Sequence, residues 1–152
     1  PRLPGSVYYH FATKDLLRVA VYAEGVRRIS ERVQAAIHDK PDAWERLEAA
    51  CVAHLEAVLE ETGYAQVVIR VRPTDVPAAA AQLVALRDAY ERLFAELVDA
   101  LPVGRGVDRR GLRLMLLGAL NWAQTWYRPG RYGPRSIARH FVALLRAPVA
   151  AQ

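Results

Sequence analysis

Apolar side chains recur at spacings of three and four along most of this 152-residue chain, which is the period of an amphipathic helix. The clearest stripe lies on a helix predicted from Lys14 to about His38. Its members are Val19, Tyr22, Val26, Ile29, Val33 and Ile37. Two more stripes follow: Leu47, Cys51, His54, Leu55, Val58 and Leu59, then Leu83, Leu86, Tyr90, Leu93, Phe94, Leu97 and Leu101. The pattern therefore predicts an all-α fold.

Proline, glycine and aspartate mark the ends of these helices. Asp42 and Asp108 stand where helix-capping residues are expected, and Pro134 suits the first turn of the last helix. The apolar run from 64 to 71 has the composition of a strand, but in an otherwise helical chain we predict a short buried helix there. With another short helix from 5 to 11, the sequence predicts seven helices in all.

The predicted helix from Asp108 to about Tyr127 carries apolar residues on more than one face. They are Leu112, Leu114, Met115, Leu116, Leu117, Leu120, Trp122, Trp126 and Tyr127. A helix that is apolar nearly all round must be buried on several sides. The last helix offers a second apolar surface through Ile137, Phe141, Leu144 and Leu145. We predict a homodimer in which these two helices meet their symmetry mates; central burial within a monomer is the alternative.

Composition and charge narrow the function further. The formal net charge of +5 and the pI of about 9.7 suit a polyanionic partner. Cys51 is the only cysteine and lies in an apolar stripe, so we expect a core residue rather than a redox sensor. No sequence motif indicates catalysis, a metal site or a cofactor. Because no apolar run is long enough to span a bilayer, we expect a cytoplasmic protein without membrane contact.

A short segment near the start of the chain has the features of a DNA-reading element. It reads Gly-Ser-Val-Tyr-Tyr-His-Phe-Ala-Thr-Lys from Gly5 to Lys14. Small residues let a helix end approach base edges, while tyrosine, histidine and lysine reach phosphate oxygens. The segment resembles the end of the helix-turn-helix in the TetR family of repressors, with Val7 in place of a common leucine.

This resemblance implies both a fold and a set of DNA contacts. The expected fold is TetR-like: a truncated helix-turn-helix over residues 1–22, then a ligand-binding and dimerisation domain over residues 23–152. Six residues are implied to bind DNA: Gly5, Ser6, Tyr8, Tyr9, His10 and Lys14. Members of the family carry two further helices before this point, so the chain as printed is expected to bind DNA poorly.

A second segment, from Gly118 to Gly130, resembles the Asn-Trp…Trp-Tyr-Arg-Pro-Gly signature of one TetR branch. Members of that branch respond to acyl-CoA thioesters, which the resemblance implies as the effector class. The candidate ligand-binding residues are His54, Tyr64, Arg70, Gly118, Asn121, Trp122, Thr125, Trp126 and Arg128. We expect Asn121, Trp122 and Thr125 to share one helix face. Alternatives remain open: His54 as a core histidine, the tryptophans as core or dimer contacts, and Arg128 as a partner of its own helix end.

Together these features predict a ligand-responsive DNA-binding transcriptional regulator, a repressor that a small molecule releases from double-stranded operator DNA. The alternative is a helical dimeric small-molecule-binding or scaffold protein without a DNA role.

Overall fold

The computed structural model describes residues 14–60 and 73–149 of the chain. Five α-helices lie within these ranges: α1 (Lys14–Ile37), α2 (Ala43–Leu59), α3 (Ala80–Asp99), α4 (Arg109–Trp126) and α5 (Pro134–Val149). Two short 3-10 turns, Pro73–Asp75 and Pro77–Ala79, precede α3. Because residues 14–60 and 73–149 contain no strand, the prediction of an all-α fold is confirmed for the described chain.

Helix α2 lies at the centre of the fold and packs against each of the other four helices. Its predicted stripe is buried except for Leu59, which is partly buried. Cys51 has no exposed surface, which confirms it as a core residue. Around α2 lies the larger of two apolar clusters, here called the main core. Its most deeply buried members include Val33, Leu47, Ala50, Leu55, Phe94, Leu120 and Ala138.

A smaller apolar cluster, here called the upper cluster, joins the first half of α1 to the start of α3. It consists of Val19, Tyr22, Val26, Val76 and Leu83, with Ala79, Leu86 and Tyr90 packed against it. The second half of α1 belongs instead to the main core, through Ile29, Val33 and Ile37. The predicted stripe of α1 is therefore buried as expected, but it is divided between two clusters.

Capping residues hold the helix ends as the sequence predicts. Asp42 Oδ1 accepts hydrogen bonds from the backbone N–H groups of Trp44 and Glu45 at 2.9 and 3.0 Å. Asp108 Oδ1 accepts one from Gly111 N at 2.9 Å. These bonds satisfy backbone donors that the first turn of a helix leaves free. Pro134 is the first residue of α5, as predicted.

The structure also revises some helix boundaries. Helix α2 ends at Leu59 rather than near residue 62, and α3 ends at Asp99. The predicted helices over 5–11 and 64–71 lie outside the described residues. Helix α1 runs without a break across the predicted boundary between residues 22 and 23. Within residues 14–60 and 73–149, none of the helices has the length and apolar character that crossing a membrane requires.

Candidate functional site

A histidine with two hydrogen-bonded ring nitrogens lies inside the main core. His54, on α2, is only 3% exposed. Its Nδ1 lies 2.6 Å from the hydroxyl of Tyr90 on α3, and its Nε2 lies 3.1 Å from Oδ1 of Asn121 on α4. We call these three residues the polar triad. They connect three different helices through one buried imidazole.

The chemistry of Asn121 assigns the protons within the triad. A carboxamide oxygen only accepts hydrogen bonds, so Nε2 of His54 carries the ring proton and donates it to Asn121. In a neutral imidazole Nδ1 is then an acceptor, and the hydroxyl of Tyr90 donates to it. Both nitrogens of His54 are therefore satisfied, which is the core-histidine alternative that the sequence left open.

Aromatic packing holds the imidazole in place. The ring of Tyr90 stacks on His54 at a centroid distance of 5.8 Å, and the ring of Phe94 meets His54 edge-on at 5.6 Å. Tyr90 and Phe94 contact each other at 5.5 Å. Such contacts favour one ring orientation, so the triad is a preorganised group of polar atoms.

Burial keeps the triad uncharged. Desolvation lowers the pKa of His54 to about 4, with the hydrogen bond to Asn121 opposing that shift. Desolvation also raises the pKa of Tyr90 well above its usual range. At neutral pH the triad therefore consists of three neutral groups, which suits contact with a neutral polar atom rather than with an ion.

The structure separates the other candidate residues of α4 from the triad. Asn121 contacts His54 in the interior, whereas Gly118, Trp122, Thr125 and Trp126 lie on the solvent side of the helix. Adjacent residues on a helix are rotated by about 100°, which explains why Asn121 and Trp122 diverge. The hydroxyl of Thr125 donates to the carbonyl of Trp122 at 2.7 Å, a bond within the same helix.

Other predicted residues lie elsewhere. Arg128 follows the end of α4 and donates from Nη1 to the carbonyl of Tyr127 at 2.8 Å. This contact agrees with the alternative that Arg128 is a partner of its own helix end. Lys14 is exposed and is the first residue of α1. The remaining candidates lie outside the described residues; they are Gly5, Ser6, Tyr8, Tyr9, His10, Tyr64 and Arg70.

The exposed side of α4 forms an apolar surface that continues onto α5. We call it the outer face and define it by Leu114, Met115, Trp122, Trp126 and Leu144. The exposed fractions of Trp122 and Met115 reach 67% and 58%. The ring of Trp126 contacts that of Phe141 at 6.4 Å, which joins the two helices. A surface of this kind is typical of a site that another protein surface covers.

A wide groove adjoins the outer face between the end of α4 and α5. Its volume is about 960 Å³, and its lining includes Trp126, Arg128, Arg131, Tyr132 and Phe141. The guanidinium of Arg131 lies 5.5 Å from the ring centre of Tyr132. Two of the predicted ligand-binding residues therefore line a surface groove, while two others belong to the buried triad.

Sequence reasoning missed Tyr90 as a polar residue, because it was assigned to the apolar stripe of its helix. The available signal was its hydroxyl, which in a buried stripe needs a hydrogen-bond partner. Among the described residues, no group of three histidine, cysteine, aspartate or glutamate side chains is placed to hold a metal ion.

Residues 40–149 match the family model described as "Tetracyclin repressor-like, C-terminal domain". No curated protein matches the sequence.

Several solved structures have the same fold. The crystal structure of the superantigen PfiT is 28% identical, with a TM-score of 0.76 over 92% of this chain and 77% of that one. A regulatory protein in the TetR family from Rhodococcus RHA1 is 23% identical, with a TM-score of 0.79 over 97% and 80% of the two chains. AibR in complex with isovaleryl coenzyme A and operator DNA is 22% identical, with a TM-score of 0.74 over 91% and 77%.

Proposed function

The chain belongs to the TetR family of transcriptional regulators, and on that premise we propose that it forms the sensing and dimerising part of a DNA-binding regulator controlled by a small molecule. Membership of a family of regulators agrees with the prediction that the chain is not an enzyme. The observation that carries the sensing role is the polar triad, because three neutral polar side chains from three helices meet around the buried His54 beside an otherwise apolar core.

The effector we propose is an acyl-CoA thioester. Its carbonyl oxygen is a neutral acceptor, which suits the carboxamide NH2 group of Asn121, whose orientation the bond to His54 fixes. The Gly118–Gly130 segment supports the proposal through its resemblance to the acyl-CoA-responsive branch. AibR, which has a similar fold, binds isovaleryl coenzyme A in its own structure.

The outer face supports a homodimer. A two-fold axis would place α4 and α5 of each copy against the same helices of the other, so that the exposed rings of Trp122 and Trp126 become buried. Tryptophan is among the residues that contribute most to binding energy when an interface buries it. A dimer also matches the symmetry of a palindromic operator, which two copies read as two half-sites.

The DNA contacts we propose are those that the resemblance implies at Gly5, Ser6, Tyr8, Tyr9, His10 and Lys14. Lys14 begins α1, and its exposed ammonium group adds to the positive end of the helix dipole, where a phosphate binds well. Operator DNA lies in the cytoplasm of a bacterium, which is the location that this function requires.

The regulatory mechanism follows from this arrangement. One conformation of the dimer holds the two DNA-reading elements at the spacing of the operator, and the effector binds another conformation more tightly. Such a difference in affinity typically corresponds to about 1–3 kcal/mol of coupling. The effector thereby releases the operator and ends repression.

One observation favours a second function. The structural neighbour PfiT is described as a superantigen, and a shared fold does not require a shared function. A helical dimer that binds a small molecule without a DNA role is therefore the second candidate.

Calorimetric titration of the chain tests the sensing role. The ligands are isovaleryl-CoA, octanoyl-CoA and free CoA, each added to the wild type and to His54→Leu. We expect at least one thioester to bind the wild type more tightly than free CoA does, and His54→Leu to lose that difference. Equal binding of the thioesters and free CoA would remove the acyl-CoA assignment.

A further inference from the structure

Tyr90 is the one described residue that packs against both apolar clusters while also belonging to the polar triad. Its ring contacts the main core and the upper cluster. Its hydroxyl donates to Nδ1 of His54 at 2.6 Å. The ring of Tyr90 is thus held by the two apolar clusters, and its hydroxyl is held by His54.

The two clusters hold opposite halves of α1. Val19, Tyr22 and Val26 anchor the first half in the upper cluster, whereas Ile29 and Val33 anchor the second half in the main core. The first half is the part that adjoins the proposed DNA-reading segment. A change confined to the upper cluster would therefore alter the direction of α1 at that end.

The electrostatic surroundings of Tyr22 place it beside the same turn of α3. Burial raises the pKa of Tyr22, and the charges of Arg87, Asp88 and Glu91 act on its phenol. These three residues flank Tyr90 in the sequence. The contact between α1 and α3 in the upper cluster thus extends from Leu83 to the turn of α3 that carries Tyr90.

We propose that Tyr90 is the positioning residue that transmits the state of the polar triad to the first half of α1. The inference deepens the proposed function and rests on it for its regulatory meaning. A ligand atom that engages His54 or Asn121 changes which ring nitrogen carries the proton, and therefore whether Nδ1 accepts the hydrogen bond from the hydroxyl of Tyr90. When Nδ1 stops accepting, the hydroxyl must reorient or lose this bond, and the ring moves within both clusters at once.

Close packing makes this transmission effective. Protein interiors have about the density of organic crystals, so the ring of Tyr90 cannot shift without displacing Leu83 and Leu86 of α3 or the α1 side chains that they touch. The second half of α1 stays in the main core. The expected motion is a change of angle along α1 rather than a shift of the whole helix.

Hydrogen exchange of the chain, measured by mass spectrometry, tests this inference without DNA or effector. Tyr90→Phe removes one hydroxyl and keeps the ring. We expect exchange of the backbone amides in residues 14–26 to accelerate by about fivefold, the factor that loss of one typical hydrogen bond corresponds to, while residues 27–37 keep the wild-type rate. The matched control is Tyr132→Phe, which removes the same atom from an exposed ring and should change neither segment.

A double-mutant cycle separates transmission from simple packing. Asn121→Ala removes the group that fixes the His54 tautomer, and we expect it to accelerate exchange in residues 14–26 only while Tyr90 is present. In the Tyr90→Phe background it should add nothing to that segment. Additive effects, a uniform acceleration along α1, or no change in Tyr90→Phe would each overturn the inference. Because the cycle involves neither DNA nor thioester, it can fail while the proposed function stands, and the reverse also holds.

Discussion

Oδ1 of Asn121 lies 3.1 Å from Nε2 of His54, although the two residues are 67 positions apart in the chain. This single contact joins α4 to α2 and decides which nitrogen of the imidazole carries the proton. The hydroxyl of Tyr90 occupies the other nitrogen. A buried histidine with both nitrogens satisfied in the neutral form has consequences that can be measured.

The first prediction concerns the pH dependence of stability. The pKa of His54 is about 4 in the folded chain, below its ordinary value of 6.5. Between these values the unfolded chain binds the proton and the folded chain does not. The contribution of His54 to the free energy of unfolding is therefore fully present above about pH 6.5. It falls as the pH is lowered towards 4, by about 1.4 kcal/mol per pH unit at most.

Urea unfolding at pH 7.5 and pH 5.0 checks this prediction, with His54→Gln as the comparison. The loss of stability between the two pH values should be greater in the wild type by about 1–2 kcal/mol. The other three histidines are present in both proteins, so the comparison isolates His54. An equal loss in both proteins would show that His54 does not titrate in this way.

The second prediction concerns Arg109, whose guanidinium holds the loop between α3 and α4. Nη1 donates to the carbonyls of Val98, Asp99 and Leu101 at 2.7, 3.2 and 3.2 Å, and Nη2 also reaches Leu101. Arg109→Ala leaves these carbonyls without a charged donor. We expect the free energy of unfolding to fall by about 2 kcal/mol.

The neighbouring Arg110 is the matched control, since it is exposed and carries the same charge. Arg110→Ala should change the free energy of unfolding by less than about 0.5 kcal/mol. Thermal unfolding of both variants at one protein concentration gives the comparison. Equal effects would assign the stabilisation to net charge rather than to the carbonyl contacts.

The third prediction concerns the outer face. Trp122→Glu places a charge where the proposed dimer buries a large ring, so we expect the dimer dissociation constant to rise by about thirtyfold or more. Sedimentation equilibrium measures it directly. Gln82→Glu adds the same charge at an exposed position of α3 and should leave the constant unchanged. A dimer that tolerates Trp122→Glu uses a different surface.

The fourth prediction concerns Cys51. Its side chain has no exposed surface, and burial raises the pKa of its thiol, so little of the reactive thiolate is available. We expect a disulfide reagent to label the native chain at least about a hundredfold more slowly than the urea-unfolded chain, because labelling requires opening of the structure. Rapid labelling of the native chain would show that Cys51 is accessible and would favour a redox role for it.

The sequence predicted the helices well, because their stripes follow a local period. The buried positions of α1 and the caps at Asp42 and Asp108 follow from residues within one or two turns. The triad could not be predicted in the same way. His54 and Asn121 were each singled out, but no local pattern pairs residues on different helices.

The orientation of α4 is a second feature that no local sequence pattern reveals. Asn121 and Trp122 are adjacent in sequence, and both were expected on one ligand-binding face. In the structure Asn121 points to His54, while Trp122 is two-thirds exposed. A helix that is apolar on several sides has no single polar side from which its orientation can be read. Only the packing of α4 against α2 and α3 decides which side faces the interior.

We propose above that a small molecule bound by this chain controls the operator affinity of the regulator. An electrophoretic shift of the full-length protein on its own promoter DNA, titrated with isovaleryl-CoA, octanoyl-CoA and free CoA, tests it most directly. We expect the ligand-free protein to bind the promoter, and a thioester but not free CoA to release the DNA. Absence of promoter binding by the full-length protein, or binding that no thioester alters, would contradict it.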